Sequence, residues 1–181
     1  MRAMTTELRP WGQSDAGHLL RAFCASDDLA TQVDDADLST LERCQAFIAL
    51  QLAPASPSVR NFAISVDGQA VGNVGIGNID HRHGTGWVYY WVSAGARGQG
   101  LASRSLASAA RWAFEQRDLF RLELGHRVNN PASCIVALKA GFAPEGIERQ
   151  KLKYENKRYD VETHARLRND PAPEIDLFGA R

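Results

Sequence analysis

One segment constrains the fold more than any other, because a strand pattern, a glycine-rich loop and a helix pattern follow one another without a break. Residues 87–92 read W-V-Y-Y-W-V, an aromatic and β-branched run typical of a strand. Residues 93–105 then place three glycines beside two arginines. The next residues, to position 116, carry apolar side chains at helical spacing. A glycine-rich loop between a strand and a helix is either an ordinary turn or a binding site for an anion.

The chemistry of the loop favours the anion site without excluding the turn. Gly98 and Gly100 let the backbone approach a ligand with no Cβ in the way. The following helix offers unpaired N–H groups and the positive end of its dipole, which suit a phosphate or pyrophosphate. Arg97 and Arg104 either add charge at the rim or are simply solvated. The loop has no G-K-[ST] and no third glycine after a βαβ unit, so it is neither a Walker A loop nor a dinucleotide fingerprint.

Composition excludes several classes of partner. The 181 residues contain 21 Lys and Arg against 21 Asp and Glu, so we expect no nucleic-acid partner and no anionic membrane surface. There is no apolar run of the ~20 residues that span a bilayer and no signal-like N-terminus, which predicts a cytoplasmic protein with no membrane contact. Cys24, Cys44 and Cys134 are far apart, so we expect reduced thiols and no metal site.

The order of the remaining patterns indicates an α/β protein. A strand, two helices, a strand meander, a helix, a strand, a helix and two closing strands predict a mixed sheet sandwiched by helices, forming one domain over residues 1–168. In the helix after the glycine loop, Ser108 is expected on the solvent side. Asn130-Pro131 combines an N-cap residue with proline at the first helical position, and Gly141 ends that helix. Residues 169–181, with two prolines, are expected to form a loosely ordered tail.

Three motifs in order resemble one enzyme family. R-G-Q-G-L-A (residues 97–102) resembles the pyrophosphate loop of the GNAT superfamily of N-acetyltransferases. N-N-P-A-S-C-I-V-A-L-K-A-G-F (residues 129–142) and the two closing strand patterns are similar to its RimJ/RimL-like branch. The resemblance covers roughly residues 62–171. It implies a central mixed, mostly antiparallel sheet, flanked by helices, in which two parallel strands splay apart, here at residues 90–92 and 122–124.

The resemblance also implies acetyl-coenzyme A as the acetyl donor, with no metal. The residues that it places on this donor are Val92, Arg97, Gly98, Gln99, Gly100, Leu101, Ala102, Ser103, Asn130 and Ser133. Val92 marks the strand backbone that would bind the pantetheine arm. Ser133 would offer its hydroxyl to the departing sulfur, unless it only bonds within the first turn of its helix.

The general base does not carry over from the family. Where several members place a glutamate, this chain has Trp87, Val88 and Leu152. The remaining candidates are Glu123, His126, Glu148 and Tyr90. We expect the catalytic residues to be Ser133, His126 and Glu123, with His126 attractive because its unperturbed pKa lies near 6.5. An acetyl-cysteine route through Cys134 is less favoured, because no evident partner would lower the pKa of its thiol.

The sequence leaves more than one class of acceptor amine open. A site without a strong base suits an α-amine, with a pKa near 8, better than a lysine near 10.4. We therefore expect direct attack by a protein N-terminal amine in a ternary complex. A small-molecule amine such as an antibiotic, a polyamine or an amino-acid derivative is the alternative acceptor, and a non-catalytic acyl-coenzyme A module is a third reading. The acidic stretch of residues 27–37 either attracts a cationic acceptor or is a solvated loop. A homodimer is left open.

Overall fold

A computed structural model describes residues 4–26, 28–33 and 36–180. Within these residues eight strands form one sheet in the order β6-β7-β5-β4-β3-β2-β1-β8. The strands are β1 (Thr6–Arg9), β2 (Arg60–Val66), β3 (Gln69–Asp80), β4 (Thr85–Val92), β5 (Arg121–Arg127), β6 (Ala143–Tyr154), β7 (Lys157–Leu167) and β8 (Gly179–Ala180). Neighbouring strands are antiparallel except β4 with β5 and β1 with β8. The expected mixed, mostly antiparallel sheet is confirmed.

Tight turns fix the register of the strand meander. Asp67 and Gly68 join β2 to β3 with φ of 48° and 83°. Positive φ at both central residues is the type I′ geometry that matches the twist of the flanking strands. The expected turn between β3 and β4 is likewise present, at residues 81–84.

Five α-helices cover the two faces of the sheet among the described residues. They are α1 (Ala16–Cys24), α2 (Leu29–Gln32), α3 (Leu41–Phe47), α4 (Leu101–Gln116) and α5 (Pro131–Lys139). Successive side chains of β4 point to opposite faces. Val88 and Val92 therefore pack in the core with α4 and α5, whereas Trp91 packs in a second core with α1 and α3. None of the described helices has the length and apolar character needed to cross a bilayer.

The C-terminal segment departs from expectation. Its end, predicted to be loosely ordered, instead adds β8 parallel to β1 and buries the Phe178 side chain to 3% exposure. The Phe178 backbone N–H donates to Ser108 Oγ at 2.8 Å. This contact also explains why the solvent-side prediction for Ser108 is wrong, since the residue is fully buried beneath the returning chain. A long-range contact of this kind leaves no local sequence pattern.

Candidate active site

The parallel strands β4 and β5 separate partway along their length. They pair from Thr85↔Arg121 to Trp87↔Glu123, and no pairing follows. Residues 88–92 and 124–127 therefore line a wedge, called here the β4–β5 gap. The segment expected on β4 is correct. The segment expected on β5 is placed too early, because Leu122 still pairs with Gly86.

Two backbone N–H groups of β4 face this gap. Ser93 N–H donates to Val71 O on β3, so this residue belongs to a hydrogen-bonded pair of the β3–β4 ladder. Such pairs alternate with pairs whose N–H and C=O point away from the partner strand. Tyr90, paired with Val74, and Val92, paired with Gly72, fall in the second set. Their N–H groups thus face the gap, where an extended ligand could bond to them as to a missing strand.

The glycine loop, residues 93–100, ends at a helix start with free donors. Gly98 and Gly100 have φ of 78° and 73°, in the left-handed region that favours glycine. None of the six backbone N–H groups from Gly98 to Ser103 has an acceptor among the described residues, and α4 has no side-chain N-cap. Together with the helix dipole, these donors form a surface suited to an anion, called here the cradle.

Arg97 braces the loop and does not project into this cradle. Its Nε donates to Val92 O at 2.9 Å, and its Nη2 lies 2.8 Å from Asp28 Oδ1. The guanidinium therefore ties the loop to the end of β4 and to the start of α2. Gln99 is an exposed residue of the same loop.

A cavity of about 540 Å³ opens beside the cradle. Gly100, Ser103, Arg104 and Lys139 line one side, and tail residues 173–176 line the other. Arg104 Nε donates to the carbonyl oxygen of Asp176 at 2.9 Å. The tail is therefore part of the site's wall. Its contribution was missed because no pattern in residues 169–181 points back to α4.

The first turn of α5 is built as the sequence predicts. Asn130 Oδ1 caps the helix by accepting from Ser133 N–H at 3.2 Å, and proline occupies the first helical position. Gly141, with φ of 83°, ends the helix. The cap fixes the position of Ser133 near the gap.

Tyr90 and Ser133 approach each other from opposite walls of the gap. The Tyr90 hydroxyl is buried and has no hydrogen-bond partner at ordinary geometry among the described residues. Burial raises the pKa of Tyr90, and the nearby Ser133 hydroxyl only partly opposes that effect. The phenol therefore keeps its proton at neutral pH, so it is suited to donate a hydrogen bond and not to act as the base proposed among the sequence candidates.

Comparison with known proteins identifies this architecture. The family model described as "Acetyltransferase (GNAT) domain" matches residues 6–143, well over half of the chain. The chain belongs to the GNAT acetyltransferase family. The expected family is confirmed, and the fold agrees with it.

Relatives of this GNAT chain include enzymes with different acceptors. It is 31% identical over 107 residues to the ribosomal-protein-serine acetyltransferase of Escherichia coli K12, which is 59% of each protein. It is 30% identical over 89 residues to the spermidine N(1)-acetyltransferase of the same strain, 49% of this chain and 48% of that one. The chain thus matches less than two thirds of the length of these curated relatives.

Solved structures share the whole fold. A RimL ribosomal L7/L12 α-N-protein acetyltransferase in complex with coenzyme A matches with a TM-score of 0.79 at 22% identity, over 90% of this chain and 94% of that one. Mycobacterium smegmatis RimJ in complex with a CoA-disulfide matches with a TM-score of 0.75 at 25% identity, over 90% and 82%. The first of these similarities concerns the fold alone.

Neither Glu123 nor His126 places its side chain in the β4–β5 gap of the GNAT site. Glu123 accepts a hydrogen bond from Arg121 Nε at 2.6 Å and lies on the opposite face of the sheet from α4 and α5. His126 is buried on the α5 face, where its Nε2 contacts His164 and Glu162 of β7. Because β7 lies on the far side of β5 from β4, this ring nitrogen points away from the gap.

Two other GNAT-site candidates also have structural partners. Glu148 is exposed and forms an ion pair with Lys151. Loss of solvation and the neighbouring Glu162 raise the pKa of the Cys134 thiol, which disfavours the thiolate that an acetyl-cysteine route needs.

Proposed function

We propose that this chain is an N-acetyltransferase that uses acetyl-coenzyme A to acetylate a protein N-terminal α-amine by direct attack. The proposal rests on one observation: the β4–β5 gap and the cradle are continuous with each other. The β4–β5 gap, with the N–H groups of Tyr90 and Val92 facing it, leads to the six free N–H groups of the cradle. This pair of features fits a long ligand with an extended amide-bearing arm and a pyrophosphate.

The residues present fit acetyl-coenzyme A along its length. Val92 and Tyr90 would bind the pantetheine arm as a strand does, and residues 98–103 would bind the pyrophosphate. Arg104 and Lys139, on the wall of the adjoining cavity, add positive charge for further phosphate. Arg97 would support the loop indirectly through Val92 and Asp28. Asn130 would hold the first turn of α5 against the arm.

Acetyl transfer here would depend on two things: hydrogen-bond donors in the site, and an acceptor amine with a low pKa. Acetyl-coenzyme A supplies a thioester carbonyl that an amine can attack. Backbone N–H groups of β4 are fixed donors for negative charge that develops on the carbonyl oxygen. Tyr90 holds a proton at Oη and Ser133 holds one at Oγ, and either hydroxyl would be able to donate a hydrogen bond to the leaving sulfur of a bound donor. A thiol pKa near 8.5 makes full protonation unnecessary, so these hydroxyls assist and are not indispensable.

The absence of a free carboxylate or imidazole base in the gap, among the residues the structure describes, favours an α-amine acceptor. Its pKa is about 2.4 units below that of lysine, a difference of about 3 kcal/mol in deprotonation. Water can then remove the proton after attack. Asp28 and Asp37 of the acidic stretch are paired with Arg97 and Arg43, which leaves less negative charge to attract a polycation. Asp27, Asp34 and Asp35 lie outside the described residues.

The proposal is tested by thiol release from acetyl-coenzyme A across a panel of amines. Peptides beginning with Ser or Ala should turn over at least about tenfold faster than spermidine or an N-acetylated lysine peptide, because less free energy is needed to deprotonate them. Turnover with spermidine alone would favour a small-molecule amine as the acceptor. The similarity to a spermidine N(1)-acetyltransferase is the observation that supports this alternative. Coenzyme A binding with no turnover on any amine would favour a non-catalytic module. A cytoplasmic location and a homodimer stay predictions.

A further inference from the structure

Four side chains able to bind a metal converge beneath the first turn of α5. They are His126 of β5, Glu162 and His164 of β7, and Cys134 of α5. His126 Nε2 lies 3.1 Å from His164 Nε2 and 3.3 Å from Glu162 Oε2, and His164 Nε2 lies 3.5 Å from the same oxygen. One donor atom from each of the four residues lies within 4.8 Å of the others. The two imidazoles are almost wholly buried.

The hydrogen bonds of the two imidazoles determine which nitrogens hold protons. His126 Nδ1 lies 3.1 Å from Arg127 O, and His164 Nδ1 lies 3.4 Å from Phe142 O. A backbone carbonyl only accepts, so each Nδ1 must be the donor. In the neutral rings both Nε2 atoms are then acceptors, and they face each other and a carboxylate oxygen. Acceptors that converge in this way favour a positive charge between them, which either a metal ion or a proton supplies.

The distances fit a divalent metal at that centre. Zinc binds imidazole nitrogen at about 2.0–2.1 Å and carboxylate oxygen at about 2.0–2.2 Å, which places tetrahedral ligands about 3.3 Å apart. The three measured separations lie between 3.1 and 3.5 Å. Two imidazoles, one thiolate and one carboxylate are a donor set that suits zinc, and Cys134 would release its proton to solvent when the metal binds. The Nδ1–H to carbonyl bonds are also those by which metal-binding histidines are commonly oriented.

We propose that His126, Cys134, Glu162 and His164 bind one Zn²⁺ ion that fixes the first turn of α5 to strands β5 and β7. With four protein ligands the site has no open position, so its role is structural. Cys134 follows Ser133 directly, so the ion would set the position of that hydroxyl at the gap. The sequence prediction of no metal relied on cysteine spacing. That reasoning could not find the proposed site, because its ligands are spread over 39 positions and meet only where β5 pairs with β7 and α5 lies beside them.

The test measures metal binding to the folded protein without coenzyme A or amine, so its result is independent of the proposed acetyl transfer. After loading with ZnCl₂ and dialysis, elemental analysis should find one Zn²⁺ per chain. Co²⁺ in its place should give the intense visible absorption of a tetrahedral site and a thiolate-to-cobalt charge-transfer band. Cys134→Ser should remove that band, and His164→Asn should weaken Zn²⁺ binding by at least about 100-fold. Cys24→Ser, which removes an exposed thiol outside the cluster, should change neither.

Two results would overturn the zinc site. If wild-type protein, folded by circular dichroism, retains no stoichiometric Zn²⁺ and gives no tetrahedral Co²⁺ spectrum, the cluster is held by a proton and the proposal is wrong. If the charge-transfer band survives in Cys134→Ser, the metal is bound elsewhere. Should His164→Asn fail to fold, the conservative Cys134→Ser variant still decides the question.

Discussion

Tyr90 shows how much a single residue's surroundings decide its chemistry. Its side chain lies on the α5 face of β4, where burial raises the pKa of the phenol. Among the described residues its hydroxyl has no hydrogen bond of ordinary geometry, although the Ser133 hydroxyl is near. A buried hydroxyl that lacks a hydrogen bond costs free energy in the protein alone. A sulfur or oxygen atom of a ligand in the β4–β5 gap could relieve that cost, so we propose a functional role for Tyr90 that Tyr89, on the opposite face, would not share.

Tyr90→Phe should lower kcat by about 10–100-fold while coenzyme A affinity changes less than about threefold, because a proton donor is lost but the ring is kept. Steady-state kinetics and calorimetric titration measure the two quantities. Tyr159→Phe on β7 is the matched control and should leave both unchanged. An unaltered kcat in Tyr90→Phe would show that the phenol takes no part in the reaction.

Gly100→Val should lower coenzyme A affinity by at least about tenfold. A Cβ at Gly100 meets no protein atom within 4 Å, so the free protein has room for it and only positive φ is strained, at a cost of about 1–2 kcal/mol. Gly68 has the same open surroundings and a φ of 83°, far from the cradle. Gly68→Val should thus lower unfolding free energy equally, measured by denaturant titration, without weakening coenzyme A binding. Equal affinities in the two variants would contradict the cradle.

At the scale of elements, the strand–loop–helix unit and α5 could be predicted because their signals are local. Alternating aromatic residues, paired glycines, an Asn-Pro start and a Gly stop each act within a few residues. The register between β4 and β5 could not be predicted as well, so the splayed segment of β5 was placed about two residues early. The cluster of His126, Cys134, Glu162 and His164 could not be predicted for the same reason, because pairing between distant segments brings its members together.

Asn130→Ala should reduce kcat/KM by about tenfold and unfolding free energy by about 1 kcal/mol, because it removes the cap that positions Ser133. Thr40→Ala removes the corresponding cap of α3, where Thr40 Oγ1 accepts from Arg43 N–H. That control should lose similar stability with no change in kcat/KM. A parallel loss of activity in both variants would mean that stability alone explains the effect.

At the scale of the whole molecule, the docking of the C-terminal segment could not be predicted from the sequence. Two prolines and polar residues indicated a loose tail, but β8 completes the sheet and residues 173–176 line the cavity beside the cradle. Its docking depends on Phe178, whose aromatic ring also lies 4.2 Å from the Arg104 guanidinium. We therefore propose that this segment couples the stability of the fold to binding of the donor.

Phe178→Ala should lower the free energy of unfolding by about 3–5 kcal/mol, because a fully packed aromatic side chain is lost from the core. It should also weaken coenzyme A binding, since the cavity wall is released. Phe120→Ala removes a half-exposed ring and should cost well under 1 kcal/mol. Chemical denaturation checks both variants. Full stability in Phe178→Ala would show that the tail is not docked as described.

The most direct measurement of the central claim is the position of the transferred acetyl group. The protein is incubated with acetyl-coenzyme A carrying an isotope-labelled acetyl group and a peptide that begins with Ser and contains one internal Lys. Tandem mass spectrometry then locates the label. We predict that the wild-type protein labels the α-amine, that Gly100→Val does not, and that Gly68→Val does so at the wild-type rate. Labelling of the lysine alone, or no transfer while coenzyme A binds, would contradict the account.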